Sequence, residues 1–150
     1  MQIQWIEKKF EALTPYQLYA ILQLRNEVFV VEQNCVFQDA DDKDQDSHHL
    51  MGFWNNKLVA YTRLVPPGYI YAEASIGRVV TSPAVRRSGA GRELMQQSID
   101  RCYQIFGKGP IRIGAQFYLK NFYESFGFQQ VSDIYLEDGI EHIYMLLQPS

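Results

Sequence analysis

The chain has 150 residues, 47% hydrophobic and 21% charged, proportions that suit one globular domain with a proper core. Fourteen Lys+Arg against seventeen Asp+Glu leave a formal net charge of -3, which argues against a partner gripped along a nucleic-acid backbone. No apolar run approaches the roughly 20 residues of a bilayer span and the start lacks a signal-peptide pattern, so the expectation is a cytoplasmic protein with no membrane partner.

Residues 2–7 alternate as a first strand. Thr14-Pro15-Tyr16-Gln17 then supplies an N-cap, a proline at the first helical position and a Gln at the third, the pattern of a capping box. Leu18, Ile21, Leu22, Arg25 and Phe29 follow at helical spacing and carry the helix to about Val30. The polar run 38–47 reads as an exposed acidic loop. Its Asp42, Asp44 and Asp46 have the spacing of a calcium loop, but Ser47 stands where that loop needs glycine and Phe53 where it needs a bidentate Glu. Residues 49–54 and 57–65 are strands joined at Asn55-Asn56. On a strand His48 and His49 face opposite ways, and the two cysteines, Cys35 and Cys102, make neither a disulfide framework nor a zinc cluster, so no metal is expected.

Pro66-Pro67-Gly68 breaks the chain before a strand over 73–81, with Ile76, Arg78 and Val80 on one face and Gly77, Val79 and Thr81 on the other. From Gly89 a helix carries Met95, Ile99, Cys102 and Phe106 on one side, and Gly107 stops it. A short strand at 111–114 and a helix at 118–126 follow. Strands at 131–137 and 140–147 then flank Asp138-Gly139, a strong hairpin signal whose exposed tip could pair with a second chain to give a homodimer. The order β-α-β-β-β-α-β-α-β-β, with no repeat or linker, describes a single α/β (α+β) domain over 1–150 with a mixed sheet.

The segment Arg86-Arg87-Ser88-Gly89-Ala90-Gly91-Arg92 is where a strand runs into a glycine-containing turn and an amphipathic helix begins. Helix N-termini leave N–H groups unpaired and carry about half a positive charge, while glycines let the backbone approach an anion. With Arg86, Arg87 and Arg92 clustered there, the arrangement suits a diphosphate. A dinucleotide fingerprint would need a small residue at Leu94, and Gly107-Lys108-Gly109 lacks the Ser/Thr ending of an ATP-binding loop.

That same segment resembles the Arg/Gln-x-x-Gly-x-Gly/Ala signature of the GNAT acyl-CoA N-acyltransferase superfamily. Gln116-Phe117-Tyr118-Leu119-Lys120-Asn121-Phe122-Tyr123-Glu124-Ser125-Phe126-Gly127-Phe128 is similar to its second motif. Leu24-Arg25-Asn26-Glu27-Val28-Phe29-Val30-Val31-Glu32-Gln33, Asp39-Ala40-Asp41 and Ile76-Gly77-Arg78-Val79 resemble its ElaA-like branch. The resemblance implies a mostly antiparallel sheet with a central parallel strand pair, flanked by helices, in which the first strand pair splays from its neighbour. It further implies acetyl-CoA as cosubstrate and an amine acceptor, a small amine or a lysine side chain. Val79 and Val80 would meet the pantetheine amides and the Val80 N–H would polarise the thioester carbonyl. Arg86, Arg87, Ser88, Gly89, Ala90 and Gly91 would hold the pyrophosphate, with Thr81, Arg92 and Gln116 completing the cofactor contacts.

Amine attack on a thioester benefits from a base, because a primary amine with pKa about 10.4 is about one part in a thousand neutral at pH 7, and thiolate departure benefits from an acid. Tyr123 matches the superfamily's acid. Glu73 on the strand leading to Val79, Glu32 and a water chain are the alternatives for the base. A non-catalytic acyl-CoA-binding module would keep the glycine turn and need neither Tyr123 nor a base.

Overall fold

The computed structural model describes residues 1–150. Strand β1 (Gln4–Lys9) leads through a single 3-10 turn to helix α1 (Pro15–Arg25). The capping box forms as predicted: Gln17 N–H donates to Thr14 Oγ1 (3.1 Å) and Thr14 N–H to Gln17 Oε1 (3.0 Å). The helix then widens into π turns over Asn26–Glu32, with the N–H groups of Gln33 and Cys35 reaching back five residues to Val28 and Val30. Strands β2 (His48–Trp54) and β3 (Lys57–Val65) meet at Asn55-Asn56, both at positive φ (51° and 61°), the backbone of a tight hairpin. Strand β4 (Ala74–Thr81) feeds helix α2 (Ala90–Phe106). Strand β5 (Ile111–Gln116) and the short helix α3 (Lys120–Glu124) follow, then β6 (Gln129–Gln130), β7 (Tyr135–Glu137) and β8 (Ile140–Leu147). Of the strand expected over 131–137 only Tyr135–Glu137 forms, and the preceding Gln129–Gln130 pairs with β8 separately.

All eight strands form one sheet in the order β1-β2-β3-β4-β5-β8-β6, with β7 also on β8. Pairing is antiparallel except between β4 and β5, and each face is covered by helix. Leu94, Met95, Ile99 and Cys102 of α2 bury against Leu50, Ala60, Leu64, Ile76, Ile113 and Ile143, with Tyr123 of α3 in the same core. Ile21, Leu24 and Val28 bury on the other face against Met51, Leu58, Tyr61 and Val80.

Those two cores hold a correction. Ile76 and Val80 were expected on one face, yet Ile76 packs under α2 and Val80 under α1. The reason is a β-bulge: Tyr61 pairs with Val80 and Arg63 with Gly77, so three steps of β4 oppose two of β3, and Arg78 takes a left-handed backbone (φ 52°). One extra residue inverts the side-chain parity of everything beyond it.

The bulge also marks where β4 leaves β5. Only Ala74↔Ile111 and Ser75↔Arg112 pair, after which the two strands diverge. The splay therefore lies at the parallel pair, whereas β1 to β4 remain a continuous ladder; the expectation of a splaying first strand pair is corrected accordingly.

The run 38–47 is corrected too, since three of its aspartates are clasped by arginines rather than solvated. Arg25, fully buried, pairs with Asp39 (2.6 Å) and Asp44 (2.8 Å). Arg63 pairs with Asp41 (2.7 Å) and Asp44 (2.9 Å), and Arg78 with Asp39 (2.8 Å) and Asp41 (3.3 Å). Three charges of each sign cancel in the interior, which is how buried ions are tolerated. His49 secures the same loop: its Nε2 donates to the Asp44 carbonyl (2.9 Å), leaving Nδ1 to accept from the Tyr61 hydroxyl (2.6 Å). Burial against Arg25 and Arg63 lowers its affinity for a second proton. His48, facing the other way, pairs with Glu7 (2.8 Å).

Candidate active site

Where β4 and β5 part, the protein opens a cleft of about 720 Å³, a size suited to a small-molecule ligand. Beyond Ser75, β4 has no neighbour on its β5 side, and β5 none on its β4 side. Backbone N–H and C=O groups of two strand edges therefore face the cleft without ladder partners, an environment that an extended amide chain can complete. Val79, Val80 and Thr81 line it, as do Gln116 from β5 and Tyr123 from α3.

At one end the cleft reaches the turn before α2. Arg87 (φ 64°) and Gly89 (φ 86°) both take left-handed backbones, and Gly89 caps the helix. Gly91 sits in the first helical turn with nothing within 4 Å of where a Cβ would stand, and it lines the cleft. Glycine in a helix costs about 1 kcal/mol relative to alanine, and no packing within the chain explains it. The position a side chain would fill is open space at the cleft. The N–H groups of Ala90, Gly91 and Arg92 lie in the first turn, where intrahelical partners are lacking. These residues fit the diphosphate of a CoA thioester.

The arginines divide. The Arg86 guanidinium lines the cleft but is held bidentately by Glu32 across the mouth (2.6 and 2.7 Å). The Arg86 hydrogen bond holds the Glu32 carboxyl below its ordinary range, which weakens it as a base. Arg92 turns away from the turn, donating to Ser125 Oγ (3.0 Å) and lying 4.8 Å over the Phe126 ring. Arg87 is exposed beside them, and the Ser88 hydroxyl donates within the turn to the Val85 carbonyl.

Tyr123 is 5% exposed, yet it lines the cleft between Phe122 and Phe128. Burial raises its phenol above the ordinary value, so it stays protonated and able to donate. Glu73 lies elsewhere. It precedes β4 at the closed end of the splay, where Arg112 holds its carboxylate at 3.0 and 3.1 Å and below the usual range, and it does not line the cleft.

The family model for the acetyltransferase (GNAT) domain matches residues 14–149. The chain belongs to the GNAT acetyltransferase family. Within it the relatives are ElaA-like: Protein ElaA of Escherichia coli strain K12 is 44% identical over 145 residues, covering 95% of each chain. The crystal structure of Escherichia coli ElaA superposes with a TM-score of 0.92 at 42% identity, over 98% of this chain and 100% of that one. An acyl-CoA N-acyltransferase from Pseudomonas aeruginosa gives 0.93 at 41% identity, over 97% and 99%. A GNAT family acetyltransferase from Elizabethkingia anophelis with acetyl-CoA bound shares the fold at 15% identity, with a TM-score of 0.65 over 97% of both chains. The mixed sheet with one parallel pair is thus the GNAT fold, and the enzyme class is acyltransferase.

The opposite wall of the cleft was not singled out in the sequence. Phe29 and Gln33 from the π turns, Tyr71, and Tyr135, Glu137 and His142 from the β7–β8 hairpin all line it. Gln116 Nε2 lies 3.5 Å from Gln33 Oε1, joining the two walls. The Cys35 thiol lies 3.5 Å from the Asp138 carbonyl, so the hairpin tip leans on the loop after the π turns. Gly114 leaves room here: a Cβ on it would come within 3.0 Å of the Tyr135 hydroxyl. Cys102 is remote from the cleft and buried among α2 neighbours, which pushes its thiol up to about 12.

Proposed function

We propose that the protein is an acetyl-CoA-dependent N-acetyltransferase that transfers the acetyl group directly to an amine. The observation that carries this reading is the continuity of two features: unpaired β4 and β5 edges lead from Tyr123 to the open glycine cradle at Gly89 and Gly91. Such a path offers hydrogen bonds to an extended amide arm and ends on a helix N-terminus suited to a diphosphate. The acetyl-CoA held by the Elizabethkingia relative, on the same fold, supports the choice of donor.

In this reading Val79, Val80 and Thr81 align the pantetheine arm through their backbone, and the Val80 N–H receives the developing oxyanion. The first turn of α2, residues 89–92, and the side chains of Arg86 and Arg87 bind the pyrophosphate. Gln116 orients the arm from β5. The Tyr123 hydroxyl donates a hydrogen bond to the departing sulfur. Because burial raises its phenol, it stabilises the thiolate as a donor rather than surrendering its own proton outright.

The test is release of free thiol from acetyl-CoA over a panel of amines, for wild type and Tyr123→Phe. The enzyme reading expects turnover to fall about 10²-fold in kcat with acetyl-CoA affinity within about twofold. Binding without thiol release from any amine, in wild type, would mark a non-catalytic acyl-CoA module instead.

A further inference from the structure

The wall facing the donor path brings a half-enclosed histidine nitrogen beside a solvent-facing carboxylate at the cleft. On β8, His142 is 7% exposed, stacks on Tyr135 (centroids 5.7 Å apart, planes 28°) and lines the cleft. Its Nδ1 lies 2.8 Å from the Ile140 carbonyl oxygen. A carbonyl only accepts, so Nδ1 carries a proton, and it is in the neutral ring, the form a base must take, that Nε2 presents a bare lone pair. The neighbour of Nε2, at 3.5 Å, is the Glu137 carboxylate, another pure acceptor. Two acceptors side by side want donors between them. The remaining groups against this ring are Tyr135 on β7 and the neutral Gln116, its register partner on β5.

We propose, building on the acetyltransferase reading above, that His142 Nε2 and Glu137 form the acceptor site, that this site takes a primary amine, and that His142 is the base. A primary amine brings two N–H groups for two acceptors while its lone pair stays free to attack. A secondary amine brings one and leaves an acceptor unmatched, which costs selectivity at a site built to hydrogen-bond its substrate. His142 and Gln116 share one face of the sheet, opposite the α2-side core that takes Ile113, Ala115 and Ile143. The amine therefore enters from the face that carries α1.

The chemistry balances without oxidation. The amine nitrogen forms a bond to the acetyl carbon, and the C–S bond breaks with its electron pair leaving on sulfur. One N–H proton passes to Nε2 of His142, whose imidazolium then lies beside Glu137. That proton is released to water, and the thiolate, hydrogen-bonded by Tyr123, takes one up. Glu137 acts by positioning the amine and steadying the charged ring.

The experiment measures thiol release from acetyl-CoA between pH 5.5 and 9 for wild type, His142→Gln and Glu137→Gln. Acceptors are alkyl diamines, arylalkylamines and lysine, each paired with its N-methyl counterpart, and acetyl-CoA binding is followed by calorimetry. Expected are a one-proton acid limb in wild type, lost in His142→Gln together with about 10²-fold or more of kcat, and acetyl-CoA affinity unchanged within twofold. Glu137→Gln should raise KM for the primary amine and erase at least half of the preference over its N-methyl counterpart. An unaltered pH profile and kcat in His142→Gln, or equal use of N-methyl amines by wild type, overturns the inference and leaves the acetyltransferase reading standing. Acetyl-CoA binding with no amine consumed by wild type overturns both.

Discussion

The two walls of the cleft are built on opposite plans. The donor wall is mostly one contiguous stretch, β4 through the first turns of α2, joined by the β5 edge and Tyr123, and it offers chiefly backbone: strand edges, helix N–H groups and the open Cβ position of Gly91. The acceptor wall gathers side chains from the π turns, the 38–46 loop, Tyr71 and the β7–β8 hairpin, positions up to about a hundred residues apart. Its 38–46 loop is held by charge, through Arg25, Arg63 and Arg78 against Asp39, Asp41 and Asp44. A ligand read by backbone leaves a local glycine signature. A ligand read by side chains leaves none, and the chain there is free to diversify.

The sharpest way to break this contrast is to remove the clasp. Asp44 faces both Arg25 and Arg63, so Asp44→Ala leaves two buried guanidiniums short of a partner and should cost about 3–5 kcal/mol. Thermal unfolding should show a drop on the order of 10 °C. Acetyl-CoA affinity, measured well below the new midpoint, should stay within about threefold if the donor wall stands independently.

Acid probes the same clasp without mutation. Burial alone would raise the Asp41 carboxyl, but the hydrogen bond and charge of Arg63, with Arg78, hold it at about 2. Since that lies below the unfolded value of about 3.9, its contribution is fully present above about pH 4 and is lost as pH falls toward 2, roughly 2 kcal/mol in all. Urea denaturation from pH 5 down to pH 2.5 should show this decline, and Asp41→Asn should flatten it.

Gly91→Ala sharpens the contrast from the donor side. The methyl meets nothing in the chain, so stability should rise by roughly 0.5 kcal/mol while acetyl-CoA binding weakens about tenfold. Unfolding and calorimetry on one preparation would show the two effects moving in opposite directions. The smallest effect is expected at the mouth. Glu32 occupies the guanidinium that a phosphate would need, so Glu32→Gln should tighten acetyl-CoA two- to fivefold, most visibly at low salt.

What the sequence disclosed follows the same division. The capping box at Thr14, the hairpin turns at Asn55-Asn56 and Asp138-Gly139 and the helix stop at Gly107 are local chemistry, and each stands where its residues required. The glycine turn was legible for the same reason. Arg78 was not, because a bulge closed by an arginine at positive φ carries no glycine to announce it, and its parity inversion puts Val80 on the face opposite Ile76. The aspartates of 38–46 looked solvated because their partners lie 14 to 39 residues away, on three different elements. His142 gave no signal at all: a lone histidine on an alternating strand acquires meaning only once Glu137 and Ile140 are seen around it.

The most direct measurement is a calorimetric titration of the protein with acetyl-CoA, with ADP titrated in parallel. If the diverging strand edges and the glycine cradle together form the donor site, acetyl-CoA binds saturably at one site per chain and ADP binds at least tenfold more weakly. Equal binding of ADP would reduce the cradle to a general phosphate site and leave the strand edges without a ligand. No binding of acetyl-CoA to the folded protein would contradict the account outright.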